Sequence, residues 1–182
     1  MTKLASLALA AAAALLAATP ASAALQKGAK APALATQGAL AGKTFSFNLQ
    51  EQLKKGPVVL YFFPKAFTQG CTLEANAFAE AMPEFKKAGA QVVGLSADDL
   101  DTLKDFSTKE CRDAFPVATA SPATVKAYDV LLKPDAQLTN RTSYVIAPDG
   151  TILHAHSEMD WRNHVSSTLA AVKAWKAKKR KG

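Results

Sequence analysis

The sequence predicts an α/β fold, a central mixed β-sheet with helices on both faces. Three observations predict it. Pro57–Phe63 is an unbroken run of β-branched and aromatic residues, the pattern of a strand covered on both sides. Phe78, Met82 and Phe85 then recur at helical spacing, so strand is followed by helix. The alternation resumes at Gln91–Leu95 and closes on a hairpin and a last amphipathic helix, an order that places helices around one mixed sheet.

The elements follow in order. Residues 24–43 are rich in Ala, Gly and Lys with a lone Pro32, and read as a lead-in segment outside the core. Phe45, Phe47 and Leu49 alternate with polar residues, which predicts a half-buried strand. Pro64 stops the central strand, a short polar loop leads to Cys71, and the helix begins there, with Pro83 set to kink it or end it early. Asp98, Asp99 and Asp101 mark the start of a further helix, expected from about Asp99 to near Cys111. Phe115–Val117 and Ala123–Tyr128 are minor elements. Arg141–Ala147 and Thr151–His156 flank Pro148-Asp149-Gly150, a strong hairpin signal. Val165, Leu169 and Val172 form the apolar face of the last helix.

The first residues have the organisation of a secretory signal. Lys3 supplies a positive start, Leu4–Ala18 an apolar run, and Ala21-Ser22-Ala23 a cleavage site, which makes 1–23 a cleaved signal peptide and 24–182 a single domain. The run is too short and alanine-rich for a membrane span, and no later stretch approaches that length, so no stable membrane association is expected. An exported protein of this kind belongs in a bacterial periplasm, where disulfides persist. The formal net charge of +7 owes much to Lys173, Lys176, Lys178, Lys179, Arg180 and Lys181. This basic tail reads as a solvated helix end, not a nucleic-acid surface.

Chemistry concentrates at Cys71. The chain holds two cysteines, Cys71 and Cys111, far apart in sequence, so neither a CxxC dithiol nor a structural zinc site is present. Cys71 follows a buried strand, Pro64 and the hydroxyl of Thr68, and Gly70 provides for a tight turn just before it. A thiol opening a helix faces unpaired backbone N–H groups and the positive end of the dipole, which favour the reactive thiolate. Position alone leaves open a small buried hydrophobe.

Phe62-Phe63-Pro64-Lys65-Ala66-Phe67-Thr68-Gln69-Gly70-Cys71-Thr72-Leu73-Glu74 resembles the peroxiredoxin active-site pattern Pro-x3-Thr-x2-Cys, and its Cys-Thr-x-Glu continuation resembles the bacterioferritin-comigratory, or Q-type, branch. The resemblance extends from Gly28–Pro32 through Gln91–Asp98 to Arg141–Gly150. It implies a thioredoxin fold and a thiol peroxidase without metal, flavin, haem or other cofactor. Cys71 would be the peroxidatic nucleophile, attacking the O–O bond and becoming a sulfenic acid. Thr68 would orient the peroxide, Pro64 would shield the pocket, and Arg141 would stabilise the thiolate and the departing oxygen. The substrates implied are hydrogen peroxide or organic hydroperoxides, and the reductant a thioredoxin-like or other thiol.

Two departures stand out. Gln69 replaces the proline common after the threonine, and Asn76 occupies the position where this branch often carries its resolving cysteine. Cys111 is then the candidate resolving thiol, sharing a helix face with Leu100 if the helix reaches it. Joining it to Cys71 requires the helix start to unwind, because a disulfide needs Cα atoms within roughly 7 Å. His154 and His156 alternate along the last strand and could form a metal site with His164, but no acidic or thiol partner stands at fitting spacing, and exposed strand histidines are the expected reading. Trp161 and Trp175 read as packing residues. The rival functions are a thiol–disulfide oxidoreductase, opposed by the missing CxxC, and a redox or copper-binding module, which would need ligands near Cys71. Oligomeric state is left open.

Overall fold

A computed structural model of the chain describes residues 24–180. The signal peptide read in residues 1–23 and the end of the basic tail lie outside that range. Seven strands form one sheet: β1 (Ala35–Leu40), β2 (Lys43–Asn48), β3 (Val58–Phe62), β4 (Gln91–Ser96), β5 (Val117–Thr119), β6 (Thr142–Ile146) and β7 (Ile152–Ser157). Their spatial order is β2-β1-β5-β4-β3-β6-β7. The pairs β3–β4 and β4–β5 are parallel, and the remaining neighbours run antiparallel. Among the described residues the α-helices are α1 (Leu49–Leu53), α2 (Gln69–Ala88), α3 (Leu100–Lys109), α4 (Pro122–Ala127) and α5 (His164–Lys179).

The apolar run of β3 divides between two cores because successive side chains of a strand point to opposite faces. Val59, Tyr61 and Phe63 join Phe78 and Phe85 of α2, Phe106 of α3 and Val172 of α5. Val58, Leu60 and Phe62 join Leu49 and Leu53 of α1 and Val125 of α4 on the other face. Both faces are thus covered, as that run predicts, and the hairpin β6–β7 turns at Pro148-Asp149-Gly150 as expected.

Four local expectations are corrected. The lead-in segment contains β1, whose sequence ATQGAL has no apolar alternation; its place comes from pairing with β2 and β5. Leu49 opens α1 instead of ending the preceding strand, with Asn48 capping the helix by accepting from the Glu51 N–H. Pro83 does not end α2, which continues to Ala88 because Phe78, Met82 and Phe85 anchor its buried face on both sides of the proline. The helix expected from about Asp99 to near Cys111 is found at Leu100–Lys109, capped at Asp99, which accepts from the Thr102 N–H. The basic end of α5 is also more than a solvated run, since Lys173 pairs with Glu84 and Lys176 donates to the Lys87 carbonyl, pinning α5 along α2.

Gly94 of β4 sits over the Tyr61 ring, and a Cβ there would lie 2.8 Å from its Cζ and hydroxyl oxygen. Tyr61 cannot yield, because it is fully buried and stacked on Phe78 at 4.3 Å. Gly94→Ala is expected to cost about 2–3 kcal/mol through overpacking, read as a lower denaturation midpoint in urea.

Candidate active site

The end of β3 delivers the chain to a loop, residues 63–68, that wraps under the start of α2. Two bonds fix it. Thr139 donates its hydroxyl to the Phe63 carbonyl at 2.7 Å, and Ala66 donates its N–H to the Asp98 carboxylate at 2.8 Å. The tight turn is made at Phe67, whose φ of +60° is left-handed, and not at Gly70, which already lies within α2. Gly70 serves space instead: a Cβ there would come within 3.3 Å of Arg141 Nη2 and 3.9 Å of the Trp161 ring.

Thr68 is the N-cap residue of α2, and its hydroxyl donates to the Lys65 carbonyl at 2.9 Å, leaving the oxygen an acceptor at the exposed mouth of the loop. Pro64 is half-buried at the strand end. Cys71, in the first turn of the helix, is 1% exposed. The structure therefore gathers Pro64, Thr68 and Cys71 around one helix start, as the motif spacing requires.

Arg141 arrives from the segment just before β6. Its three donors reach three partners: Nη2 lies 3.5 Å from Cys71 Sγ, Nη1 bonds the Glu74 carboxylate, and Nε donates to the Met159 carbonyl at 3.0 Å. Met159 and the short 3-10 helix Trp161–Asn163 thus form one wall. Burial opposes the charge of Arg141, but Glu74 and Cys71 outweigh it and push the guanidinium pKa up, so it stays protonated.

Glu74, the acidic residue of the Cys-Thr-x-Glu motif, is the partner of Arg141. It sits three residues after Cys71 on the same helix face and is fully buried. Burial, partly offset by Arg141, pushes its carboxyl up to about 8. His164 is likewise fully buried at the start of α5, and burial lowers its pKa to about 4. His154 and His156 are half-buried. The expectation of exposed histidines fails because α5 covers this face of β7, and the His156 ring packs edge-on against His164 at 4.5 Å. Among the described residues no group of three or more histidine, cysteine or acidic side chains is placed to hold a metal ion.

Cys111 and Cys71 are both free thiols in the same buried cluster. Burial, then Glu110 and Asp113, raise the Cys111 pKa far above that of an ordinary thiol, so in this state it is an inert thiol. Cys111 lies two residues past α3 and therefore on no helix face with Leu100. Its segment packs along α2, with Asn76 donating to Glu110 at 3.4 Å and Arg112 to Glu80 at 3.2 Å. Trp161 flanks the site beside Gly70, whereas Trp175 lies on α5 under the Lys179 ammonium.

Residues 27–155 match the AhpC/TSA family. The chain is 34% identical over 123 residues to peroxiredoxin Bcp of Xanthomonas campestris pv. campestris, covering 64% of this chain and 76% of that protein. It is 34% identical over 135 residues to chloroplastic peroxiredoxin Q of Populus jackii, covering 73% of this chain and 62% of that longer protein. Among solved structures, peroxidoxin BcpB from Mycobacterium tuberculosis superposes with a TM-score of 0.74 at 28% identity, covering 82% of this chain and 97% of that one. Xanthomonas campestris peroxiredoxin Q superposes at 0.67 with 29% identity, covering 77% and 90%. The seven-stranded sheet is the elaborated thioredoxin fold of these neighbours. The chain belongs to the AhpC/TSA family of peroxiredoxins, and with it to the thiol-dependent peroxidases.

Proposed function

We propose that Cys71 is the peroxidatic residue of an exported peroxidase and that Cys111 resolves it. The observation that carries this reading is the Arg141 Nη2 contact with Cys71 Sγ at 3.5 Å, a buried cation aimed at the one sulfur that opens a helix within a Pro-x3-Thr-x2-Cys loop. The Cys71 thiolate attacks the terminal oxygen of ROOH, the O–O bond breaks, and sulfur becomes a sulfenic acid. The alkoxide leaves toward Arg141 and takes a proton from solvent to give ROH. Thr68, at the mouth, orients the peroxide, and Pro64 shields the sulfur from water. The exposed side chains of Phe67 and Met159 beside the mouth suit an organic hydroperoxide as well as hydrogen peroxide.

The thiol of Cys111 then condenses with the sulfenic acid, releasing water and forming a disulfide, which a thioredoxin-like dithiol reduces. Asn76 favours this assignment: the residue at the usual resolving position touches Glu110, the neighbour of Cys111. Arg112 and Asp113, at left-handed φ of 51° and 57°, place backbone strain beside Cys111, which suits this segment to opening together with the first turns of α2. The export signal read in residues 1–23 supports a periplasmic setting for the cycle.

Mass spectrometry after one equivalent of hydrogen peroxide tests both parts. The wild type is expected to lose two hydrogens, and Cys111→Ser to hold a trappable sulfenic acid on Cys71. Sulfenic acid persisting in the wild type would remove Cys111 from the cycle and leave an external thiol as resolver. An unmodified Cys71 would remove the peroxidase reading itself.

A further inference from the structure

The end of the molecule opposite Cys71 carries a basic groove that peroxide reduction does not use. Four parts of the chain meet there: the connection between α1 and β3, the C-terminal ends of α2 and α5, and the hairpin turn at Pro148. Lys54, Lys55, Lys176, Lys179 and Arg180 line the groove with Trp175, and among the described residues no carboxylate does. Gly56, at a φ of +151°, lets the connection lie so close to the end of α2 that a Cβ there would collide with the Gly89 carbonyl oxygen. Lys176 donates to the Lys87 carbonyl at 2.6 Å and holds the end of α5 against that of α2.

The bonds these cations make leave most of their charge unopposed. Lys54 pairs with Glu51 at 2.7 Å, and among the described residues none of the other four has a carboxylate partner. The Lys55 ammonium meets the Gln52 amide oxygen, Lys176 a carbonyl, and Lys179 the face of Trp175 at 5.4 Å. Helix α2 rises about 1.5 Å per residue, so its end at Ala88 stands roughly 25 Å from Cys71.

We propose that this groove docks the protein reversibly on an anionic phospholipid bilayer, with Trp175 at headgroup level. Lys54, Lys55, Lys179 and Arg180 are exposed along an open groove, an arrangement that matches a plane of many charges and not one enclosed phosphate. Trp175 is half-buried among them, and an indole, apolar in body and polar at its N–H, favours the membrane interface. A nucleic acid offers the same charge without an apolar layer for Trp175, and the export signal read in residues 1–23 also favours an envelope membrane. Docking through this end leaves the mouth at Thr68 and Cys71 facing solution. The inference stands apart from the peroxidase reading, because no groove residue touches the catalytic loop.

The test takes the chain as its host processes it and measures co-sedimentation with phosphatidylcholine vesicles containing about 30% phosphatidylglycerol. Binding is expected at low ionic strength, with release by about 0.5 M salt, where the screening length falls to about 4 Å, and with none to pure phosphatidylcholine. A variant carrying Lys55→Gln, Lys179→Gln and Arg180→Gln should partition about 100-fold more weakly, near fivefold for each cation, with wild-type thermal midpoint and peroxide rate. Trp161→Phe leaves Trp175 as the single tryptophan, and its emission should move to shorter wavelength on the anionic vesicles. Equal binding to pure phosphatidylcholine, a triple variant that binds like wild type, or an unmoved Trp175 emission overturns the proposal. Tighter binding to duplex DNA than to the anionic vesicles at equal salt also overturns it and makes the groove a nucleic-acid surface.

Discussion

Cys71→Ser is expected to lower peroxide consumption by at least about 10³-fold while leaving a folded protein. The residue is 1% exposed between Arg141 and the aromatic cluster of Tyr61, Phe63 and Phe78, so an oxygen of smaller radius is accommodated without a clash. An alcohol does not ionise at neutral pH even beside a guanidinium and the start of α2, and a neutral hydroxyl does not displace oxygen from oxygen. The thermal midpoint should stay within a few degrees, because the substitution costs only about 1 kcal/mol of buried contact. Peroxide consumption with excess dithiothreitol, beside a thermal melt, separates the two effects. Cys111→Ser is the control, since it spares the oxidation step. A Cys71→Ser protein within tenfold of wild type would place the nucleophile elsewhere.

The site was legible where chemistry and local geometry coincide. Pro64, Thr68 and Cys71 lie within one loop and one helix start, so their spacing alone brings them together. Arg141 was legible only through the family resemblance, because nothing local distinguishes an arginine preceding a strand from a surface one. Its three partners come from α2 and from the segment after β7. The burial of Glu74 and His164 was missed for the same reason: α2 and α5 are brought together by packing, and a residue at the start of α5 gives no sign of which helix it faces. The fold was read from β3, α2 and β4, whose periodicities are strong. It was misread at β1, a strand held by its neighbours' hydrogen bonds and not by an apolar face, and in the early helix end allowed at Pro83, where tertiary anchoring carries α2 on to Ala88.

Arg141→Ala is expected to lower the second-order rate constant for peroxide by about 10²–10³-fold, the loss typical of removing a preorganised donor from developing charge. One guanidinium nitrogen faces the sulfur and another the Glu74 carboxylate, so the substitution removes the cation from the nucleophile and from the leaving oxygen together. Arg141→Lys should recover only part of the loss, because a single ammonium cannot span Cys71, Glu74 and the Met159 carbonyl as the planar fork does. Stability should suffer less than the removal of a buried ion-pair partner normally implies. Glu74, already pushed up to about 8 by burial, can shed its charge by staying protonated once Arg141 is gone. The cost should then lie near 1–3 kcal/mol, the range for a lost buried hydrogen-bond partner, where a stranded carboxylate would cost about 3–5 kcal/mol. Stopped-flow oxidation at several peroxide concentrations, with urea melts at pH 6 and pH 9, checks both halves. The destabilisation should be larger at pH 9, where the unpaired carboxyl is forced toward its charged form. A rate constant unchanged within threefold would show that the 3.5 Å contact with Cys71 does no catalytic work.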